Sequence, residues 1–414
     1  MRAPRLDQPG NSAGDVRSFL RSDFGLYLVS RFCSGTAMTM FRAAVLWHVF
    51  DLSHSAFHLG LIGLVQFIPA LGLTLVGGAV ADTYDRRRVM MLAQVVPLGS
   101  AVVLFGVTHR GAATLPVLYV LILLIAVAAA FDNPSRAALL PTLVTREFFP
   151  RAVTIASTNQ ALAFVTGPAV CGLVIAAAGI ATVYAVYGGL IAASLAALVG
   201  IRARRTDGVR RAVTLRAIRE GLSFVRRRQV VLGCMTLDMF AVIFGGASAL
   251  LPIYANEILH VGARGYGLLT SSLELGALLT STVLIMVPPI RHAGRALLMG
   301  VGAYGIATIL FGLSRSFPLS VLAYVTVGVA DQVSVVMRST AIQLSTPDEL
   351  RGRVSAVNFI FIGASNQLGA VESGFVAALT NAPFSVVSGG LGCLVVLAIV
   401  TATLPELRRY RIDR

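Results

Sequence analysis

Lysine is missing altogether: all 34 basic residues among the 414 are arginine. That excludes a Walker-type nucleotide site, whose loop needs a lysine on the phosphates, and a pyridoxal Schiff base. Charge of either sign is scarce, at 13% against 56% hydrophobic residues, and mean hydropathy is +0.80. A soluble protein of this length needs far more charge on its surface. Cysteine is sparse too. Cys33, Cys171, Cys234 and Cys393 all fall inside apolar runs without metal-ligand spacing, so they read as small packing residues, not disulfides or ligands. Residues 1–21 are polar and hold Pro4, Pro9 and Gly10; no apolar core precedes the first long run, so no cleavable signal peptide is expected. No Ser/His/Asp, metal or paired-carboxylate constellation stands at the interfaces. An enzyme is not expected, nor is a cofactor.

What the chain has in abundance is apolar runs of about 20 residues, each long enough for a hydrocarbon core of roughly 30 Å. Gly, Pro and charge punctuation divide them into spans at 23–50, 57–81, 88–108, 113–133, 152–178 and 180–201. A second set follows at 229–257, 265–288, 295–314, 317–338, 354–380 and 383–404. The expected fold is therefore an all-α integral membrane protein of twelve transmembrane helices in two six-helix halves. A net charge of +15 on a soluble chain would suggest nucleic acid, but the arginines are placed for another purpose. With the N-terminus in the cytoplasm, twenty-nine of them fall in inside segments, three (Arg110, Arg264, Arg315) outside and two within the first span. The positive-inside rule then puts both termini in the cytoplasm.

The longest polar segment divides the chain. The expected domains are a tail at 1–22, a half at 23–201, a cytoplasmic linker at 202–228, a half at 229–404 and a tail at 405–414. In the linker, Leu215, Ile218, Leu222 and Val225 share one helical face with arginines on the others, which reads as an interfacial helix against anionic headgroups or else a plain charged linker. An internal repeat supports the division: at a constant offset of 202, Arg151 aligns with Arg353, Gly167 with Gly369 and Gly172 with Gly374.

Between the second and third spans lies Gly77-Gly78-Ala79-Val80-Ala81-Asp82-Thr83-Tyr84-Asp85-Arg86-Arg87-Arg88. This resembles the Gly-x-x-x-Asp-x-x-Gly-Arg-Arg element of the major facilitator superfamily, with Asp85 where that family usually has Gly. The resemblance implies a secondary transporter whose two parallel halves are related by an axis along the membrane normal. It also implies a cytoplasmic gate of Gly78, Asp82, Asp85, Arg86, Arg87, Asp132 and Arg353. Asp82 would sit against the positive N-terminus of helix 11, near Arg353, and Arg86 would bind Asp132, latching the cytoplasmic face shut. The plainer reading is that these charges are topology signals only. Gly167-Pro168-Ala169-Val170-Cys171-Gly172 is similar to the Gly-Pro-x-x-x-Gly element of exporter branches, although small residues also serve ordinary helix packing. Phe131–Pro141 and Thr346–Val354 resemble the branch that contains the enterobactin exporter and macrolide efflux proteins.

Charges at membrane depth are the default functional candidates. Asp238, Glu274, Asp331 and Glu372 lie in the second half, and burial favours the neutral form of a carboxylate, so each is a candidate to load and release a proton. Asp238 and Glu274 lead. A fixed ion pair between the halves is the alternative role. Arg31 and Arg42, in the first span, are candidates for the substrate cavity, expected between spans 1, 4, 7 and 10. Many multidrug antiporters for cations that this chain resembles carry an acid within helix 1, and apart from Asp23 at its edge this span has none, which weakens a cationic-drug reading and allows an anionic or zwitterionic substrate. The expected function is export of a siderophore, drug or related metabolite from the bacterial cytoplasm by alternating access, in exchange for protons. Uptake on the same fold and a non-transporting receptor or scaffold are the alternatives. The expected partners are a small molecule, protons and membrane lipids, without nucleic acid, and the expected state is monomeric.

Overall fold

The computed structural model describes residues 22–202, 215–288 and 290–411. The N-terminal tail, most of the polar stretch after Arg202 and the last three residues lie outside the described residues. So do the side chains of Asp82, Asp348, Leu215 and Ile218.

Helices α1 (Asp23–Ser53), α2 (Ala56–Thr83), α3 (Arg86–His109) and α4 (Leu115–Leu143) follow one another through short connections. Phe149–Gly200 is one helical stretch of 52 residues, which at 1.5 Å per residue would reach about 78 Å, too long for one crossing. Gly179 breaks it with φ 80° and ψ 169°, a left-handed conformation open to glycine because it has no Cβ. The result is two rods, α5 (149–178) and α6 (180–200). After a linker helix, Leu215–Arg227, come α7 (Gln229–Ile258), α8 (Gly262–Met286), α9 (Ala293–Leu313), α10 (Phe317–Leu344), α11 (Asp348–Leu379) and α12 (Ala382–Thr403). A short helix, Pro405–Arg409, closes the described chain.

Among the described residues nine helical segments are long and apolar enough to cross a membrane, Phe149–Gly200 counting once, and there is no strand. This is an all-helical membrane protein. Successive helices alternate in direction, so the connections gather at two ends. The linker, the 84–85 turn and the Pro405–Arg409 helix share one end, called the linker face; the 54–55 turn and Gly179 lie at the other, the far face.

In a bilayer the lipid tails are as apolar as leucine, so helices associate through close backbone approach and hydrogen bonds. The helices before the linker pack among themselves, as do those after it; the two groups meet mainly where α2 meets α11 and α5 meets α8. Both meetings are made by glycine. A Cβ on Gly172 in α5 would stand 2.6 Å from the Cα of Gly267 in α8, and one on Gly374 in α11 would collide with Gly60 in α2. The offset of 202 between Gly172 and Gly374 is thus a pair of equivalent contacts. Their partners in the repeat behave alike: Gly167 lies against Thr36 and Thr39 of α1, and Gly369 against Val242 and Ile243 of α7.

The linker helix does not simply face lipid. Leu222, Phe224 and Val225 pack with Leu350, Val354 and Val357 of α11, and Glu220 pairs with Arg353. Of the residues expected to share one helical face, Leu222 and Val225 cover the start of α11.

Candidate functional site

At the linker face, Asp85 is the N-cap of α3. Its Oδ1 accepts from the backbone N–H of Arg87 at 2.9 Å and of Arg88 at 3.2 Å, which satisfies donors left orphaned at a helix start and places a negative charge against the helix dipole. Its φ of −61° is ordinary, so the turn does not demand the glycine usual in the family. Arg87 donates from Nε to the Leu198 carbonyl at 2.8 Å and from NH2 to that of Val199 at 2.7 Å, closing the C-terminal end of α6. Arg86 donates to the Ala138 carbonyl of α4 at 2.9 Å. It does not meet Asp132, which is held instead by Arg136 at 3.1 Å and by Gln94 at 3.3 Å. The expected Arg86–Asp132 pair is therefore corrected: Arg136, one helical turn along α4, reaches that carboxylate first. Gly78 has open space where a Cβ would go. Arg353, expected opposite Asp82, is engaged by Glu220; the Asp82 side chain itself is outside the described residues.

A little deeper, two buried arginines occupy equivalent places. Arg136 in α4 and Arg338 in α10 are again 202 residues apart, and only 6% and 3% exposed. Arg136 reaches across to Ser30 of α1 at 3.2 Å, where Ser30 also bonds Ser194 of α6 at 2.9 Å. Arg338 reaches across to Asp238 of α7 in a buried ion pair. Two expectations change here. Arg338 is no loop residue: it lies inside α10. Asp238 is bound to a cation within its own helix group. Arg31 is similarly committed, donating to the Ala156 carbonyl at 3.2 Å and to the Tyr27 hydroxyl at 3.0 Å, so it ties α1 to α5 and does not stand free in a cavity.

Arg42 is different. It is exposed although it sits in the interior of α1, and it faces Glu274 of α8 closely enough for the two charges to act on each other. Glu274 in turn acts on Asp331 of α10, and Tyr324 of α10 lies within reach of all three. By chain position Glu274 and Asp331 are 12 and 14 residues from the far-face starts of their helices, about 20 Å in, which is mid-membrane. Above this cluster the far face is closed: Tyr266 of α8 donates to the Ala43 carbonyl of α1 at 2.8 Å and packs on Trp47 with ring centroids 5.2 Å apart. Beside it α7 is interrupted at Gly245 and Gly246, where Tyr304 of α9 donates to the Gly245 carbonyl at 3.0 Å. Broken helices at membrane depth are tolerated where they are covered by protein or line a cavity. Glu372, half-buried in α11, accepts from the adjacent Ser373 hydroxyl at 3.4 Å, its one hydrogen bond among the described residues, and stands near the Gly374–Gly60 contact. Pro168 is buried between Gly167 and the Gly172–Gly267 contact, with its carbonyl against Gly267.

A family model described as transmembrane secretion effector matches residues 19–412. The chain belongs to that family. Among transmembrane secretion effectors and their kin, it is similar to the enterobactin exporter EntS of Escherichia coli O1:K1 / APEC, 27% identical over 394 residues, covering 94% of this chain and 93% of the exporter. The EntS of Escherichia coli O81 (strain ED1a) is 26% identical over 396 residues, with the same coverage. Among solved structures, the nucleoside transporter NupG (D323A mutant) superposes with a TM-score of 0.73 at 12% identity, covering 92% of this chain and 99% of that one. A POT family transporter in complex with 5-aminolevulinic acid gives 0.72 at 12% identity, over 93% and 96%. The protein is a transporter of the major facilitator superfamily, not an enzyme.

Sequence reasoning missed Arg338, Tyr266, Tyr304 and the break in α7. Arg338 was within reach, since the repeat offset carries Arg136 onto it. The adjacent glycines at 245 and 246 marked the break. Nothing local marks the two tyrosines, whose partners are 223 and 59 residues away.

Proposed function

We propose that this transporter crosses the bacterial cytoplasmic membrane twelve times, with the linker face and both termini in the cytoplasm, and exports a small anionic or zwitterionic molecule in exchange for protons. The observation that carries the reading is the mid-depth cluster of Arg42, Glu274 and Asp331. It is built by both helix groups, sits beneath a closed far face, and its cation is exposed while the other deep arginines are tied up. The relatives named as enterobactin exporters support efflux and a siderophore-like or drug-like cargo. Alternating access follows from the same layout: separation of α2 from α11 and of α5 from α8 at the far face would expose the cluster to the outside.

In this cycle an incoming substrate anion competes with Glu274 for the Arg42 guanidinium. Protons entering from outside neutralise Glu274 and Asp331, so a carboxylate–guanidinium attraction is removed while the opposite step restores it. Asp238 is assigned to structure, because a carboxylate already ion-paired with Arg338 gains little by taking a proton. Glu372, near the α2–α11 contact, is a secondary candidate. Inside-out vesicles energised to an acidic interior provide the test, with siderophores, antibiotics and anionic metabolites added singly. A compound that evokes proton release in wild-type vesicles, but not in a Glu274→Gln, Asp331→Asn double variant, meets the expectation. Undiminished substrate-evoked proton release in the double variant would sink the coupling assignment.

A further inference from the structure

The C-terminal Pro405–Arg409 helix is fastened beneath the start of α9. Leu407 is buried, its carbonyl lies against Gly294, and the Gly294 N–H donates to the Tyr410 carbonyl at 3.3 Å. Two arginine-bearing segments, far apart in the chain, are thereby held facing one another. Between them is a cavity of about 280 Å³ lined by His292, Arg295, Arg408, Arg409 and Arg411. Every lining side chain is basic. None of the four arginines makes a salt bridge or hydrogen bond among the described residues, whereas Arg86, Arg87, Arg136, Arg338 and Arg353 each have one. Four guanidinium groups drawn into one concavity repel one another unless an anion lies between them.

The repeat sharpens the point. At the matching start of α3, the chain supplies its own anion, the Asp85 carboxylate capping the helix. At the start of α9 the cap position is His292, which makes no capping bond, and no acid stands in the first turn. The wall of basic side chains suits a tetrahedral oxyanion, since arginine forks pair two oxygens at a time. The cavity also lies at the ends of two membrane helices, where lipid phosphates are the anions at hand.

We infer that this cavity is a binding site for a phosphate group, offered at the membrane surface by the headgroup of an acidic phospholipid or by a soluble phosphate. It is separate from the transport cluster and does not depend on the cargo or the proton coupling.

The test uses the full-length protein in detergent, with binding read by native mass spectrometry and by the rise in melting temperature. The probes are phosphatidylglycerol, phosphatidylcholine and inorganic phosphate. Phosphatidylglycerol adducts that survive where phosphatidylcholine is lost support the site and assign a lipid; saturable stabilisation by inorganic phosphate alone supports the site and assigns a soluble anion. The double variant Arg408→Gln, Arg409→Gln should weaken binding about 25-fold, roughly fivefold for each arginine. Its control, Arg146→Gln, Arg151→Gln, removes the same charge from the same face at exposed positions away from the cavity. Equal weakening in the control, or none in either, overturns the inference. Because all four side chains are exposed, loss of folding is not expected, and an unchanged melting temperature without ligand verifies it.

Discussion

Replacing Gly172 by alanine adds one methyl group at the place where α5 meets α8. The Cβ would lie 2.6 Å from the Gly267 Cα and 2.6 Å from the Ala263 carbonyl oxygen. Both are backbone atoms, which cannot rotate aside as a flexible side chain would. Comfortable carbon–carbon contact begins near 3.5 Å, so the two helices must part by about 1 Å at the far face. Overpacking of this kind costs about 1–3 kcal/mol, and the cost applies only while the far face is closed. A state with the far face open escapes it, and its population should rise by about 5-fold to 150-fold. The neighbouring residue provides the readout. Cys171 is fully buried at this contact and lies close to Tyr184 and Tyr266. With Cys33, Cys234 and Cys393 changed to serine, a membrane-impermeant maleimide applied to intact cells should label Cys171 at least five times faster in Gly172→Ala than in the parent. Gly363→Ala, where no atom lies within 4 Å of the added Cβ, should change nothing. Equal labelling of Gly172→Ala and its parent, in well-folded protein, would refute the view that this glycine contact seals the far face.

Asp238→Asn should lower the melting temperature in detergent by the equivalent of about 3–5 kcal/mol, because one partner of a buried pair is left alone; adding Arg338→Gln should recover part of the loss, and a single variant as stable as wild type would show the pair to be unimportant. Asp85→Ala should destabilise by about 1 kcal/mol through loss of the α3 cap, whereas Asp85→Gly, the residue usual in the family, should cost only a few tenths; thermal unfolding separates the two, and an equal loss would remove the capping account.

Much of the fold was legible because the bilayer leaves few options. Spans must be about 20 apolar residues with internally satisfied backbone, and the structure follows the expected limits closely except where α4 runs on to Leu143, α10 runs on to Leu344 and α11 begins at Asp348. The second exception had a consequence. Ending the span at Arg338 made this residue look like a loop charge, when its helix continues for another six residues and carries it into the protein. The candidate site was legible only as a set of unusual residues. Hydropathy flags Arg31, Arg42, Asp238 and Glu274 alike, since each is a charge in an apolar run. What distinguishes them is the surroundings: Ala156 and Tyr27 bond Arg31, Arg338 pairs with Asp238, and Arg42 and Glu274 act on each other only through their charges. These partners, Tyr27 aside, are 100 or more residues away, a pairing no local pattern encodes. The linker shows the same division, as its helical face was readable and the α11 surface it covers was not.

The distribution of strong and weak contacts bears on how such a molecule would move. The buried arginine ties stay inside each helix group: Arg136 with Asp132 and Ser30, Arg31 with Ala156, Arg338 with Asp238, whereas the neutral Tyr266–Ala43 hydrogen bond crosses between them. Separating the arginine ties would expose unpaired charge in a low-dielectric interior, at several kcal/mol each, so each group resists internal rearrangement. Contacts between the groups are of another kind. Glycine backbones touch across α2–α11 and α5–α8, a contact built from many small dispersion terms that lipid or cargo can replace. The charges that act on each other across the boundary, Arg42 and Glu274, are not locked in an ion pair among the described residues, and Arg42 is exposed, so water and an incoming anion can take the carboxylate's place. A proton on Glu274 weakens that attraction without disturbing either group internally. The chain thus places its costly interactions where motion would be harmful and its exchangeable ones on the surface along which the proposed cycle must slide.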